Sequence, residues 1–411
     1  MAYQSQFNGY VAFKLQSGLG SGASGSGATV MPVTGGQGSR LQKQVQQSGI
    51  IRRDGQPLRG RHGTQAVTGS YDSELIVASQ EDLMEAVLRG TWDASDLTIT
   101  EATAGLTSIT TGANTIVASA GSWITAGLRV GDVIIMTGHA TAANNSRNLR
   151  IKSLTASTIT VYEDLTVDAV ADTAFTITRP KKLICPAAGA LVERYFTVEE
   201  MFVDIGGSEI FTDCKWGSMR YAMAANGLVT ATYALTGTGQ YSTLTGGSPP
   251  LFSSPTEPSG EALAVADASI AVHGEQMVDL TAFDITIDNG ATTLATFGSG
   301  AERYSPDVFT GVLSVNLNFT ALRKDLQRLI DFSAETVYSL QVLAVENESE
   351  PKSFVSIFVP NFTLGDVQRS ALSRAAGAMT ETITVPAALV GKDLTGGAYE
   401  ATTVSIQSTG A

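Results

Sequence analysis

Only two cysteines, Cys185 and Cys214, occur in 411 residues, and histidine is almost as rare, with His62, His139 and His273. Neither residue type recurs at metal-ligand spacing, so zinc centres and disulfide scaffolds are excluded as organising devices. Two isolated cysteines in a chain without a basic-then-apolar leader pattern are expected to be reduced. The sequons at Asn145, Asn318, Asn347 and Asn361 then carry no meaning, because glycosylation needs a secretory route. No run of eighteen apolar residues occurs, so no membrane-spanning helix is expected. Charged residues make up only 16% and proline contributes 12 residues.

Catalytic strings are missing as well. There is no G-x-S-x-G elbow, no Walker string and no H-E-x-x-H. Glu199–Glu200 and Asp279 with Asp284 offer carboxylate pairs, but 39 acidic residues produce such pairs by chance. Carbohydrate binding usually presents exposed aromatics. Here aromatics are 7%, and Trp92, Trp123 and Trp216 sit in contexts that predict core or interface. We therefore expect no enzyme, no cofactor and no metal.

What is abundant points to strands. The chain is 43% hydrophobic with 42 glycines, and its apolar residues alternate in short runs between turn signals. The length suffices for two or three domains. Charge is uneven. The first seventy residues carry Lys14, Arg40, Lys43, Arg52, Arg53, Arg59 and Arg61 against Asp54 alone. They are net +6, and the remainder is −19 of the total −13. An acidic body disfavours nucleic acid as a bound ligand. A basic arm on an acidic body suits self-association.

The chain also echoes itself. Thr68-Gly69 opens "TGSYDSELIV" before the helical "SQEDLMEAVLRG", and Thr310-Gly311 opens "TGVLSVNLNF" before "TALRKDLQRLIDF". Gly227 opens "GLVTATYAL" and Gly377 opens "GAMTETITV". The two offsets, 242 and 150, differ by about the length of a Thr-rich stretch of different texture. These matches predict a duplicated unit with one insertion. Residues 1–93 and 183–240 form the first copy, 94–182 a small inserted β-domain, 241–262 a linker and 263–411 the second copy. The insertion is expected on the outside and dispensable for folding.

Locally, 7–16 reads as a strand and 17–39 as a mobile Gly/Ser-rich loop. Strands at 40–53 and 64–78 flank the turn "RDGQPLRGRHG". The string Gly20 to Gly25 has the G-x-G-x-x-G form, yet no helix or acidic partner follows, which argues against dinucleotide binding. A helix over 79–90 has Ser79 as N-cap and Gly90 as terminator. Both helices read as amphipathic covers packed on a sheet. We assign self-assembly to Gly18, Gly20, Gly22, Gly25 and Gly27 of the loop and to the cluster Arg52, Arg53, Arg59 and Arg61. The loop is expected to order only on assembly, against a neighbouring unit.

The order strand, loop, strand, strand, helix, strands resembles the tail tube proteins of long-tailed bacteriophages. "TGSYDSELIVASQEDLMEAVLRGTW" is similar to that family's strand-to-helix segment. "GLRVGDVIIMTGHATAANNSRNLRIKSLTASTITV" is similar to the small β-domain inserted in it, and "RYFTVEEMF", "NGLVTATYALTG" and "FDITIDNG" to its later strands. The resemblance implies a mainly β chain: a duplicated tail-tube-type β-sandwich, each copy with one flanking helix, plus the small inserted β-domain. It implies a structural virion protein, assembled in the bacterial host cytoplasm, whose stacked rings form a conduit for genomic DNA. The implied partners are further copies of the chain, the tape measure protein, and the tail terminator and distal tail proteins. The resemblance further implies that DNA passes without specific binding and that no membrane is involved. Trimeric rings of pseudo-sixfold appearance are expected, with a true hexamer as the alternative. A distal tail or completion ring protein of the same sandwich is the alternative within the class, and a carbohydrate-binding adhesin module the alternative outside it.

Overall fold

The structure is a computed structural model that describes residues 3–187, 189–246, 250–296, 304–347, 349–374, 377–386, 388 and 397–411. Residues 247–249 of the expected linker and 389–396 of the expected second copy lie outside the described residues. The chain is mainly β, arranged in several antiparallel sheets.

The first part of the body comprises β1 (Gly9–Leu15), β2 (Val33–Gln46), β3 (Arg61–Glu74), α1 (Glu81–Leu88), β4 (Phe196–Phe202), β5 (Gly207–Ala224) and β6 (Thr230–Leu244). The second comprises β7 (Ser269–Val272), β8 (Leu280–Asp288), β9 (Ser314–Leu322), α2 (Gln327–Ser333), β10 (Tyr338–Val345), β11 (Phe354–Phe362), β12 (Asp366–Arg369), β13 (Thr380–Val385) and β14 (Ser405–Ser408). Eight of these strands form an unbroken antiparallel run in the order β2-β3-β6-β5-β8-β9-β13-β12. Its two halves share one topology: a hairpin, then the last strand of the set, then the strand before it. The joint is β5 on β8, where Ser218 to Ala224 pair in sequence with Asp288 to Ala282.

The inner strands of the run alternate, as a half-buried antiparallel sheet requires. Val67 and Tyr71 of β3, Met219 and Tyr221 of β5, Ile285 and Ile287 of β8, and Leu317 and Phe319 of β9 all turn inward. Long β5 also continues into a second layer, where its first half pairs with β4, and β4 with β1. Trp216 stands where the layers meet, fully buried, with Phe13, Phe196, Tyr71 and Tyr233 around its ring at 6.0–6.4 Å. The second half has its own outer sheet, β14-β11-β10-β7, extended at one edge by Lys182–Ile184.

Residues 97–179 form a separate eight-stranded sheet around Trp123, Phe175 and Ile134. Its core is shared with the body, because Phe358 of β11 inserts into it. Gln407 of β14 bonds both the N–H and the carbonyl of Val133, and Lys182 reaches Asp132 at 3.0 Å and Glu400 at 2.7 Å. The dispensable ornament expected from sequence is therefore packed into the body at a buried apolar and ionic joint.

Local expectations shift in four places. Helix α1 begins at Glu81, not Ser79; the Glu81 carboxylate takes the free amides of Ala78 and Gln80, while the Ser79 hydroxyl donates backwards to Ile76. Arg89 supplies the left-handed end at φ +53, and Gly90 serves instead a close approach, since a β-carbon there would lie 2.2 Å from the Ile184 oxygen. Thr68 and Gly69 lie inside β3, whereas Thr310 and Gly311 precede β9, so that echo is displaced by a few residues. The Gly/Ser-rich stretch is the fourth. Residues 17–28 are docked on the chain's own body. The Gly20 and Ala23 amides donate to Asp213 and Thr197, and Gly25 bonds to Leu251 and Ser253.

Candidate functional site: a polar sheet face, two open edges and a basic arm

The eight-stranded run buries one face and presents the other. On the presented face stand Thr68, Ser70, Asp72 and Glu74 of β3, Thr230 and Thr232 of β6, and Ser218 and Arg220 of β5. Beyond the joint follow Asp284, Thr286 and Asp288 of β8, Asn316, Asn318 and Thr320 of β9, and Thr382 and Thr384 of β13. Polar side chains link across strands: the Thr232 hydroxyl donates to Asp72 at 2.8 Å, Arg220 to Asp284 at 3.1 Å, and Asn318 to Asp284 at 3.2 Å. Such cross-strand pairs fix side chains that would otherwise be free to reach a ligand. Carboxylates outnumber cations on this surface: Asp72, Glu74, Asp284, Asp288 and Asp366 against Arg40 and Arg220. The face is hydrophilic and acidic.

Among the described residues, both outer strands of the run, β2 and β12, are paired on one side only. An unpaired antiparallel edge is a template for another chain. Inward-facing Leu41 on β2 and Val367 on β12 are only partly buried, at the two ends of the same core.

The third feature is the β2–β3 hairpin. Its strands run from Val33 opposite Ser73 to Gln46 opposite Arg61, and residues 47–60 form the tip. Arg52, Arg53, Arg59 and Arg61 all lie at this tip or its stem, exposed, with Arg52 paired to Asp54 at 2.7 Å. Ile51 is 97% exposed and Ile50 66%. The structure brings the four arginines together and separates them from Gly18, Gly20, Gly22, Gly25 and Gly27, which lie on the body. Asp213 occupies the Gly20 amide that a phosphate would need in the nucleotide reading of that loop. The apolar string "GII" read as strand from sequence; it faces no sheet, and so stands free.

Comparison with known proteins fits this arrangement. The family model described as phage tail tube protein matches residues 6–388. The chain belongs to the phage tail tube protein family. It is a structural component of a phage tail, and members of this family self-associate into a tube. No curated protein matches the chain. The polar face has a signal in the sequence: strings such as "FDITID", "SVNLNF" and "ETITV" alternate apolar residues with Thr, Asn and Asp.

Proposed function

We propose that three copies of this tail tube protein close into a ring, that rings stack through the basic arm, and that the polar face lines a lumen through which DNA passes. One observation carries the reading: two four-stranded sets of the same topology are already joined edge to edge at β5 and β8, and the two outermost edges are open. Joining β12 of one chain to β2 of the next repeats the internal joint, and a heterologous contact of that kind must close or run on as a fibre. In this reading the two halves are copies of one unit, residues 97–179 sit outside, and the ring has pseudo-sixfold appearance. Six four-stranded sets give about 24 strands, which at about 4.8 Å spacing and about 40° tilt enclose a backbone circle of roughly 24 Å radius. That leaves room for a duplex after side chains are placed.

The acidic balance supports passage without adhesion. Carboxylates on a lumen wall repel phosphates, and the few cations are engaged or outnumbered. The arm carries cations and bare isoleucines away from the sheet, to a place where an acidic body of the next ring can receive them. Partners at the two ends of such a tube, including tape measure, terminator and distal tail proteins, would use the same edges and arms. Reconstruction of tubes grown from purified protein tests the ring. Three chains per ring are expected; six identical chains would overturn the closure proposed here while leaving the family assignment intact.

A further inference from the structure

The two helices hold equivalent places and have opposite surroundings. Each follows the second strand of its half, and each is followed by a non-glycine residue of left-handed conformation: Arg89, the cap of α1, at φ +53, and Glu335, one residue past the Ala334 cap of α2, at φ +52. Leu83 and Met84 of α1 are fully buried, and the corresponding Leu329 and Ile330 of α2 are 45% and 57% exposed. Helix α1 is covered because it lies over the internal joint. There Asn289, just past β8, donates to the Val87 carbonyl, and Arg89 donates to Thr310 and to the Gly311 carbonyl at 3.0 and 2.9 Å. Helix α2 lies over β12, the open edge, and among the described residues no strand stands beyond it.

Register identifies the missing cover. Inward-facing Ile287 of β8 sits opposite Val315, and inward-facing Leu41 of β2 sits opposite Val67. Matching these pairs places Lys43 where Asn289 stands, and His62–Gly63 where Thr310–Gly311 stand. The residue that meets this group is Glu335 instead of Arg89, and beside it is Arg61. Neither Lys43 nor Arg61 has a side-chain ion pair among the described residues. Inside the chain Arg89 lies 3.7 Å from Glu193; on this matching Glu335 would meet a basic stem.

We infer that the apolar face of α2 and Glu335 form the seat for the arm stem of a second copy of this chain, with Glu335 against Lys43 and Arg61 and with Val367 opposite Leu41. The inference rests on the ring reading above and adds to it a selection rule. Placing the Arg89 end on the arm stem sets cation against cation, so halves join only in alternation.

Charge exchange tests it. Glu335→Lys should melt as the native protein does and raise the concentration at which tubes appear by about tenfold or more. Combining it with Lys43→Glu and Arg61→Glu should restore assembly. Independently, Leu41→Cys with Val367→Cys, in a Cys185→Ser background, should give disulfide-linked chains in assembled protein, closing at the trimer on non-reducing gels. Unimpaired assembly of Glu335→Lys, or a triple variant no better than the single, overturns the pairing. Failure of the cysteines to link chains in assembled tubes overturns the register. Six chains per ring in native tubes would instead sink the ring reading itself, so the two failures are told apart.

Discussion

The ring of Phe358 lies against the backbone of Gly131, 2.2 Å from the place where a β-carbon would sit. Phe358 belongs to the body and Gly131 to the inserted domain, and Gly131 holds φ +90. Its N–H donates to Ile151 and its carbonyl accepts from Gln341 of β10. Gly131→Ala meets both a steric wall and an unfavourable backbone region, and should cost more than about 2 kcal/mol. Urea unfolding with unchanged slope and a lowered midpoint would show it. A variant of native stability would mean that the joint is loose.

The same joint decides what happens when the insertion is removed. Replacing residues 97–179 by a short flexible linker uncovers Phe358, Gln407 and the Lys182 ammonium. We expect insoluble protein, because an apolar patch around Phe358 is bared while the Gln407 amide loses Val133 and Lys182 loses Asp132, keeping only Glu400. Soluble fraction after expression measures it. Abundant soluble protein that still forms tubes, thinner and with the same lumen, would show the insertion to be an independent ornament.

Acid should weaken this region first. Burial raises the Glu400 carboxyl, yet Lys182, with Arg129 and Arg179, holds it below the ordinary glutamate value. A depressed carboxyl contributes stability above its unfolded pKa, near 4.5, and loses it as pH falls through the lower folded value. The melting temperature should therefore drop below about pH 4.5. In Glu400→Gln that acid limb should be shallower, and the variant less stable than the native protein at neutral pH. Superimposable profiles would exclude Glu400 from the acid response.

The arm is separable from the ring in the proposed assembly. Replacing residues 48–59 by Asn-Gly shortens the hairpin with a turn that suits its twist and removes Ile50, Ile51, Arg52, Arg53 and Arg59. Single rings that do not stack are expected in electron micrographs. Normal tubes would move the axial contact elsewhere. Deleting residues 18–36 is a poorer test, because Ala28, Val30 and Met31 in that stretch are buried.

Period-two alternation made the strands and the change of texture near 94–182 legible, because half-buried strands write their burial directly into sequence. The docking of the Gly/Ser-rich loop was not legible, since its partners Asp213, Thr197 and Leu251 lie far along the chain and bond to backbone, which has no side-chain signature. The same holds for α2. Its apolar stripe predicted burial, and the stripe is there, but nothing among the described residues covers Leu326, Leu329 and Ile330. The alternation that names the core also names the polar face, yet that face acquires meaning only once β5 is seen to pair with β8 and the two halves become one surface.

A last prediction concerns that surface. Asp72, Asp284 and Asp288 stand on it at different strands, and each is held by or next to neutral hydroxyl and amide groups. If non-adhesion comes from their charge, the neutral neighbours will not replace it. Tubes carrying Asp72→Lys and Asp288→Lys should retain short duplex DNA in their lumen at low salt, while native tubes release it. Retention should fall steeply with salt, since each neutralised phosphate releases a counterion. Asp284 is left in place because Arg220 leans on it. Fluorescence of labelled duplex co-sedimenting with tubes across a salt series measures the effect. Equal release from native and lysine tubes would mean that lumen charge does not govern passage, and that the neutral Thr- and Asn-rich wall suffices.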